Sequence, residues 1–115
     1  MRRGEIYFVN FDQARSGEAN KRRPAIIVSN DGANAIAERS GEGVVTVVPV
    51  TSNVTRVYPF QVLLSAERTG LAVGSKAQAE QVRSIAVARI GAVIGAVPSD
   101  VMEALDEALR LHLAL

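Results

Sequence analysis

The chain contains no cysteine and no tryptophan, and histidine occurs once among its 115 residues. The lack of cysteine excludes disulfides, thiolate nucleophiles and thiolate-bound metals. A catalytic triad would depend on His112, close to the last residue, and no metal ligands cluster at the usual spacing. The sequence therefore predicts no metal and no cofactor, and leaves cations, hydroxyls, amides and carboxylates to carry any chemistry.

Long hydrophobic runs are missing as well. The longest, Ile90–Val97, is far shorter than the roughly 20 residues that cross a bilayer. The opening residues, MRRGE, carry no apolar segment typical of a signal peptide. We therefore expect a cytoplasmic protein with no membrane partner.

The length fits one domain, residues 1–115, and 48% hydrophobic residues are enough for a core. Basic and acidic residues number 13 and 12, which excludes the strongly basic class of nucleic-acid-binding protein. The charge is uneven, because residues 98–115 carry four acidic side chains against one basic side chain. The mildly basic remainder is compatible with a polyanion bound on one face.

Short β-rich runs between turn residues predict a small barrel or rolled sheet. The predicted strands are Glu5–Phe11, a strand that begins at Pro24, Gly43–Thr51, Val57–Leu64, Gln78–Ile85 and Ala88–Val97. Proline cannot donate to a ladder, so Pro49 predicts a bulge or an edge. A short helix is expected over Ala33–Arg39, and a longer one over residues 98–113, where Asp100 and Glu103 form a capping-box pattern.

Arg23 precedes Pro24 at the start of an apolar strand, in the stretch KRRPAIIV. Proline holds the preceding residue extended, so Arg23 is fixed at the strand end, and Arg22 points to the opposite side. Two interpretations are open. The spacing alone favours a strand-end arginine neutralised by a nearby acid, and the alternative is a cation presented to a ligand.

Two polar stretches accompany the apolar strands. Thr51 and Ser52 form either an ordinary exit into a turn or donors beside Arg23 at one mouth of a barrel. Gln78–Ser84 has the polar pattern of a solvated edge strand, or of a wall that offers amides and a guanidinium to nucleobases. A guanidinium and a hydroxyl without a metal suit RNA cleavage, because RNA supplies its own 2′-hydroxyl nucleophile.

The order of these motifs resembles the MazF/PemK family of toxin endoribonucleases, and its MazF branch most. The similarity runs nearly end to end. The motifs that carry it are Arg3–Phe8 (RGEIYF), Arg23-Pro24, Ile27–Asp31 (IVSND), Val50–Ser52 (VTS), Glu80–Ser84 (EQVRS) and Asp106–Leu109 (DEAL). The chain departs from the family in having Ser16-Gly17-Glu18 where Gly-Ser-Glu is usual, and Gln78 where the PemK branch uses an arginine.

The resemblance implies a mainly β domain with α structure, an SH3-like small β-barrel with a C-terminal helix, that forms a homodimer. It implies the toxin of a toxin–antitoxin system, which cuts single-stranded RNA at a short sequence without a metal and so inhibits translation and growth. The products would carry a 2′,3′-cyclic phosphate and a 5′-hydroxyl. A MazE-like antitoxin would block the RNA groove with an acidic, partly apolar C-terminal segment.

The resemblance further implies that Arg23 and Thr51 are the catalytic pair. A guanidinium is a poor base, so we expect Arg23 to stabilise phosphoryl charge and to protonate the leaving oxygen, while Thr51 orients the phosphate. The candidate bases are Glu80 and a deprotonated minor form of Arg23. The expected RNA-binding residues are Ser16, Glu18, Arg22, Asn30, Ser52, Gln78, Glu80 and Gln81.

Two other functions stay open on the same fold. A CcdB-like toxin would poison DNA gyrase through protein contacts, and a non-catalytic module would bind RNA without cutting it. The pair of Arg23 and Thr51 favours the nuclease over the gyrase poison, because poisoning gyrase needs no groups directed at a phosphate.

Overall fold

A computed structural model describes residues 1–11 and 22–115. Ser16 and Glu18, both expected to bind RNA, lie outside the described residues. The strands and α-helices in chain order are β1 (Glu5–Asn10), β2 (Arg22–Ile27), α1 (Asp31–Ser40), β3 (Val44–Thr51), β4 (Gln61–Leu64), α2 (Ala66–Thr69), β5 (Ser75–Gln78), β6 (Arg83–Ala86), β7 (Ile90–Ala96) and α3 (Ser99–Leu113). Single 3-10 turns at Ala79–Gln81 and Val87–Arg89 flank β6.

The strands form one antiparallel sheet in the order β4-β5-β3-β2-β1-β7, and β6 pairs with β3 beside β5. A mainly β domain with a C-terminal helix is confirmed. The sheet is open rather than a closed barrel, because the end strands β4 and β7 do not pair with each other in the described part of the chain. The predicted small barrel or rolled sheet is thus present as an open sheet.

The centre of the sheet is buried on both faces. Along β2, Ile26 packs into one apolar cluster, whereas Ala25 and Ile27 pack into another, since successive strand residues point to opposite faces. Leu105 of α3 belongs to the first cluster and Ala37 of α1 to the second. The continuous apolar run of β2 is thus explained by a central strand between two helices.

The predicted capping box at the last helix is wrong. Helix α3 begins at Ser99, and Pro98 holds the N-cap position without a side-chain cap bond. Asp100 therefore lies inside the first turn, too late to cap it. Its carboxylate instead accepts hydrogen bonds from Nη1 and Nη2 of Arg68 at 3.1 and 2.7 Å, which ties α3 to the short, unpredicted helix α2.

Two predicted strands are shorter than expected. Only Gln61–Leu64 of the run Val57–Leu64 forms a strand. The run Gln78–Ile85 is broken, because β3 pairs with β6 through Val44–Val47 and with β5 from Val50 onward. The chain turns between these two ladders.

Pro49 explains where that break falls. It lies in the gap between the two ladders, where a missing N–H interrupts no pair on that side of β3. On the other side it stands opposite Ala25 of β2 and is buried. Pro49 thus lies where β3 is unpaired on one side, as an edge position would be, although β3 is a central strand on both sides of this gap.

Among the described residues, no helix has both the length and the apolarity needed to cross a membrane.

Candidate functional site

Strand register brings Arg23 and Thr51 together. Ala25 of β2 stands opposite Pro49 of β3, and the pairs continue with constant register through Ile27. Arg23 lies two residues before Ala25 on β2, and Thr51 lies two residues after Pro49 on β3. Both residues therefore lie at the same end of the two antiparallel strands, just beyond their last pair. Two residues that are 28 positions apart in sequence thus share one end of the sheet.

A cleft of about 250 Å³ opens at this end. Its lining includes both polar and apolar side chains. The lining residues are Phe8, Arg23, Pro24, Val50, Thr51, Ser52, Leu71, Ala72, Val73, Ser75 and Ile94. The predicted residues Arg23, Thr51 and Ser52 are therefore brought to one concave surface.

The Arg23 guanidinium is exposed, and no carboxylate of the described residues lies within salt-bridge distance of it. Its one described side-chain hydrogen bond is long, 3.4 Å from Nη2 to Oε1 of Gln78. Among the described residues, no acid neutralises Arg23, so the interpretation as a cation presented to a ligand is favoured over a neutralised strand-end arginine. Both interpretations stay predictions.

Thr51 is half-buried at the last position of β3. Its Oγ1 accepts a hydrogen bond from the Asn53 backbone N–H at 3.2 Å, which fixes the turn that follows the strand. A hydroxyl that accepts one bond retains its proton for donation. The side chain can therefore donate to a ligand oxygen, and the neighbouring Ser52 hydroxyl is exposed at the same cleft.

Arg22 and Gln78 border this site. The Arg22 guanidinium lies 5.8 Å from the centre of the Phe8 ring, a cation–π contact. Phe8 itself lines the cleft, so Arg22 lies next to one of its walls. Gln78, at the end of β5, accepts the bond from Arg23, and no described residue accepts a hydrogen bond from its side-chain amide.

Three other predicted RNA-binding residues lie outside the lining of the cleft. Asn30 follows the opposite end of β2 and caps α1, where its Oδ1 accepts from the Ala33 N–H at 2.8 Å. Glu80 accepts a 2.7 Å hydrogen bond from Nε2 of Gln61, and its other oxygen is buried without a partner among the described residues. Gln81 is exposed in the 3-10 turn after β5.

The apolar wall was not predicted. It consists of Phe8 from β1, Ile94 from β7 and Leu71 and Val73 from the segment before β5. These residues come from three separate parts of the sequence, so only the sheet order places them together. Gly70 and Gly74 flank the segment that contains Leu71 and Val73, and they were the one local sign of a tight turn there.

A comparison with protein-family models decides the family. Residues 2–113 match the model described as PemK-like, MazF-like toxin of type II toxin–antitoxin systems. The chain belongs to this family. The match covers both strands that carry Arg23 and Thr51, and the suspected resemblance is confirmed.

The toxin is similar to several characterised relatives. It is 64% identical to Endoribonuclease MazF9 of Mycobacterium tuberculosis over 115 residues, which is all of this chain and 98% of the relative. The solved M. tuberculosis toxin MazF-mt6 is 25% identical and superposes with a TM-score of 0.77 over 96% of this toxin and 97% of that chain. MazF in a MazE–MazF crystal structure from Deinococcus radiodurans is 26% identical, with a TM-score of 0.75 over 100% and 97% of the two chains.

These relatives confirm the predicted enzyme class, endoribonuclease, and the fold. The roles of individual residues in the cleft stay predictions.

Proposed function

We propose that this toxin cleaves single-stranded RNA without a metal, by attack of a 2′-hydroxyl on the adjacent phosphorus. The bond from phosphorus to the 5′-oxygen breaks, which leaves a 2′,3′-cyclic phosphate and a 5′-hydroxyl. One observation supports the proposal most: Arg23, which no described acid neutralises, and Thr51 line the same open cleft. RNA brings the nucleophile, so the protein has to supply only position and charge.

Arg23 is proposed to stabilise the negative charge that builds on the phosphoryl oxygens and to protonate the leaving 5′-oxygen. Its planar fork matches two phosphate oxygens at once. A preorganised donor of this kind is worth roughly 3–4 kcal/mol in the transition state. The long bond to Gln78 holds the side chain at the cleft but is weak enough to be replaced by a substrate oxygen.

Thr51 is proposed to orient the phosphate through its hydroxyl proton. Ser52, Gln78 and Arg22 lie at or beside the same cleft and are proposed to contact the RNA strand. Of the two candidate bases, Glu80 is held by Gln61 and lies outside the cleft lining. This geometry supports charge stabilisation by Arg23 more directly than proton abstraction by Glu80.

The cleft also supports a cognate antitoxin as partner. An acidic, partly apolar segment would place carboxylates against Arg23 and apolar side chains against the wall of Leu71, Val73 and Ile94. The Deinococcus radiodurans MazF structure was solved with MazE. We propose that a MazE-like segment competes with RNA for this cleft and so prevents inhibition of translation and growth.

A homodimer is supported by apolar surface at the end of α3. Leu111, Leu113 and Leu115 are 59%, 49% and 85% exposed, which is unusual for leucines so close together. Sedimentation of the purified toxin tests this proposal: a dimer mass supports it, and a monomer at micromolar concentration contradicts it.

Cleavage in EDTA tests the nuclease. Purified toxin is mixed with a long natural RNA, and the cut sites are mapped by primer extension. A short RNA that contains one mapped site is then compared with the same RNA carrying a single 2′-deoxy sugar 5′ to the cut. Cleavage that survives EDTA and is abolished by the deoxy sugar is expected. Cleavage of both substrates would overturn the 2′-hydroxyl mechanism.

The same preparation separates the two alternatives. RNA that is bound but never cut would identify a non-catalytic module. No effect on RNA, combined with arrested supercoiling by DNA gyrase, would identify a CcdB-like poison.

A further inference from the structure

Lys76 is a buried cation next to the catalytic pair. It stands opposite Thr51 of β3 and opposite Leu63 of β4, in the middle strand of the three. The residue is 7% exposed. Its Nζ donates a short hydrogen bond to the backbone carbonyl of Arg56, and no carboxylate of the described chain forms a salt bridge with it.

Stability does not explain a lysine at this position. A buried ammonium that has a carbonyl but no carboxylate as partner loses much of its hydration energy. A methionine or leucine would fill a similar volume without that cost. The charge must therefore be retained for something other than the strength of the core.

The contact fixes the middle of a long exposed segment. Residues 52–60 leave β3 at Thr51 and return to the sheet at Gln61 with no regular structure between. The other described hydrogen bonds of this segment are local, such as Asn53 N–H to Thr51 Oγ1 and Tyr58 N–H to Gln61 Oε1. Only the ammonium of Lys76 links its centre to the sheet among the described bonds.

The segment borders the cleft and has the charge of an RNA contact. It begins with Ser52, which lines the cleft, and it contains one basic and no acidic side chain. If the centre of the segment were released, binding an RNA strand would have to order it again. Ordering flexible side chains and loops on binding costs affinity.

We propose that Lys76 is a positioning residue that holds residues 52–60 against the sheet, so that this segment is ready to receive RNA beside Thr51. The proposal rests on the proposed ribonuclease function. Loss of the ammonium raises KM about tenfold, the cost of reordering one or two side chains. It changes kcat far less, because Arg23 and Thr51 keep their places on β2 and β3.

The absence of cysteine allows a clean chemical test. The variant Lys76→Cys is unfolded, alkylated with 2-bromoethylamine or with 1-bromopropane, and refolded. The first reagent rebuilds a lysine-like side chain with sulfur in place of one methylene, and the second gives nearly the same shape without charge. Ala35→Cys, at an exposed site on α1, is alkylated in parallel as the control.

We expect the aminoethyl form to have the KM of the wild type. The propyl form should have a raised KM and an unchanged kcat. Equal KM for the two forms would overturn the role of Lys76 while leaving the ribonuclease proposal intact, because the wild-type toxin still cleaves RNA in EDTA. A fall of kcat alone would also overturn it. If an alkylated form does not refold, Lys76→Met, which needs no unfolding step, is compared with the wild type instead. We expect the same rise in KM and a melting temperature at least equal to that of the wild type.

Discussion

The two ends of β2 and β3 are polar in different ways. At the end away from the cleft, which comprises Val28, Ser29 and Thr46 and is called the closed end, backbone and side-chain polar groups form hydrogen bonds within the fold. The Val28 carbonyl accepts from Arg3 Nε at 2.8 Å, and the Thr46 N–H donates to Ser29 Oγ at 3.0 Å. At the cleft end, the one hydrogen bond of the Arg23 side chain to a described residue is 3.4 Å long and goes to Gln78.

Arg3 at the closed end and Arg23 at the cleft end differ in their ion-pair partners. Arg3 donates a hydrogen bond to a backbone carbonyl and forms a 2.7 Å ion pair with Asp106, so its charge is neutralised within the fold. Arg23 has no such acid among the described residues. An internal ion pair is therefore present for Arg3 and absent for Arg23 among the described residues. A charged side chain that has no ion-pair partner and lines a concave surface is a candidate contact for a ligand of opposite charge.

The largest expected effect comes from changing the cation at the cleft end. Arg23→Lys keeps the charge but loses the planar fork, so single-turnover cleavage of a short RNA should fall by about 100-fold or more. The far-ultraviolet circular dichroism and the melting temperature should stay at wild-type values, because the side chain is exposed. Wild-type cleavage by this variant would refute the assigned role. Arg39→Lys, exposed on α1, is the matched control.

A smaller effect is expected at the partner strand. Thr51→Val preserves the β-branched shape that suits β3 and removes the hydroxyl, so cleavage should fall roughly tenfold, the value of one hydrogen bond to a charged group. Thr51→Ser should recover most of this loss. If the valine variant were as fast as wild type, the hydroxyl would have no part in orienting the phosphate. The same single-turnover assay measures both variants.

The closed end should show the reverse behaviour. Arg3→Met removes the bonds to Val28 and Asp106, so the free energy of unfolding should fall by about 1 kcal/mol while cleavage stays unchanged. Urea denaturation measures the first and the RNA assay the second. Arg2→Met is the control, because the Arg2 side chain is 79% exposed. A cleavage defect without a stability defect would contradict the separation of the two ends.

The smallest effect is expected for an ion pair that lies in water. The two hydrogen bonds from Arg68 hold the pKa of the Asp100 carboxyl below its usual value. A carboxyl whose pKa is lowered by folding adds stability above its unfolded pKa, and that stability is lost as the pH falls through the folded value. Asp100→Asn should therefore lower the melting temperature slightly at pH 7, and the difference should vanish well below pH 4. A difference that persisted at pH 2 would point to a cause other than charge.

The sequence predicted the parts of the fold whose signals are local. Apolar runs and a closing amphipathic helix located β1, β2, β3 and α3. The broken run over β5 and β6 was missed, because the break depends on which portion of β3 each half pairs with. Asp100 was misassigned for a similar reason: its partner, Arg68, belongs to a helix of only four residues, too short for a periodic pattern.

The candidate site was predictable to the same extent. Arg23 before a proline and Thr51 at a strand exit were recognisable, and the resemblance joined them. Their neighbours across the cleft, Phe8 and Ile94, carry no local mark, because ordinary core strands contain the same residues. Lys76 carries none either, since a single lysine in the run SKAQ reads as a solvent-exposed strand position.

Strand β3 pairs with β2 along one side and with β6 and then β5 along the other. Four strands, β1, β2, β3 and β5, are paired on both sides, and the amide hydrogens at the centre of such strands exchange late. Thr51 ends β3 and pairs only with Lys76 of β5, so the hydroxyl proposed to touch the phosphate lies where a strand frays first. Local opening at this strand end would displace that hydroxyl while the rest of the sheet stays paired.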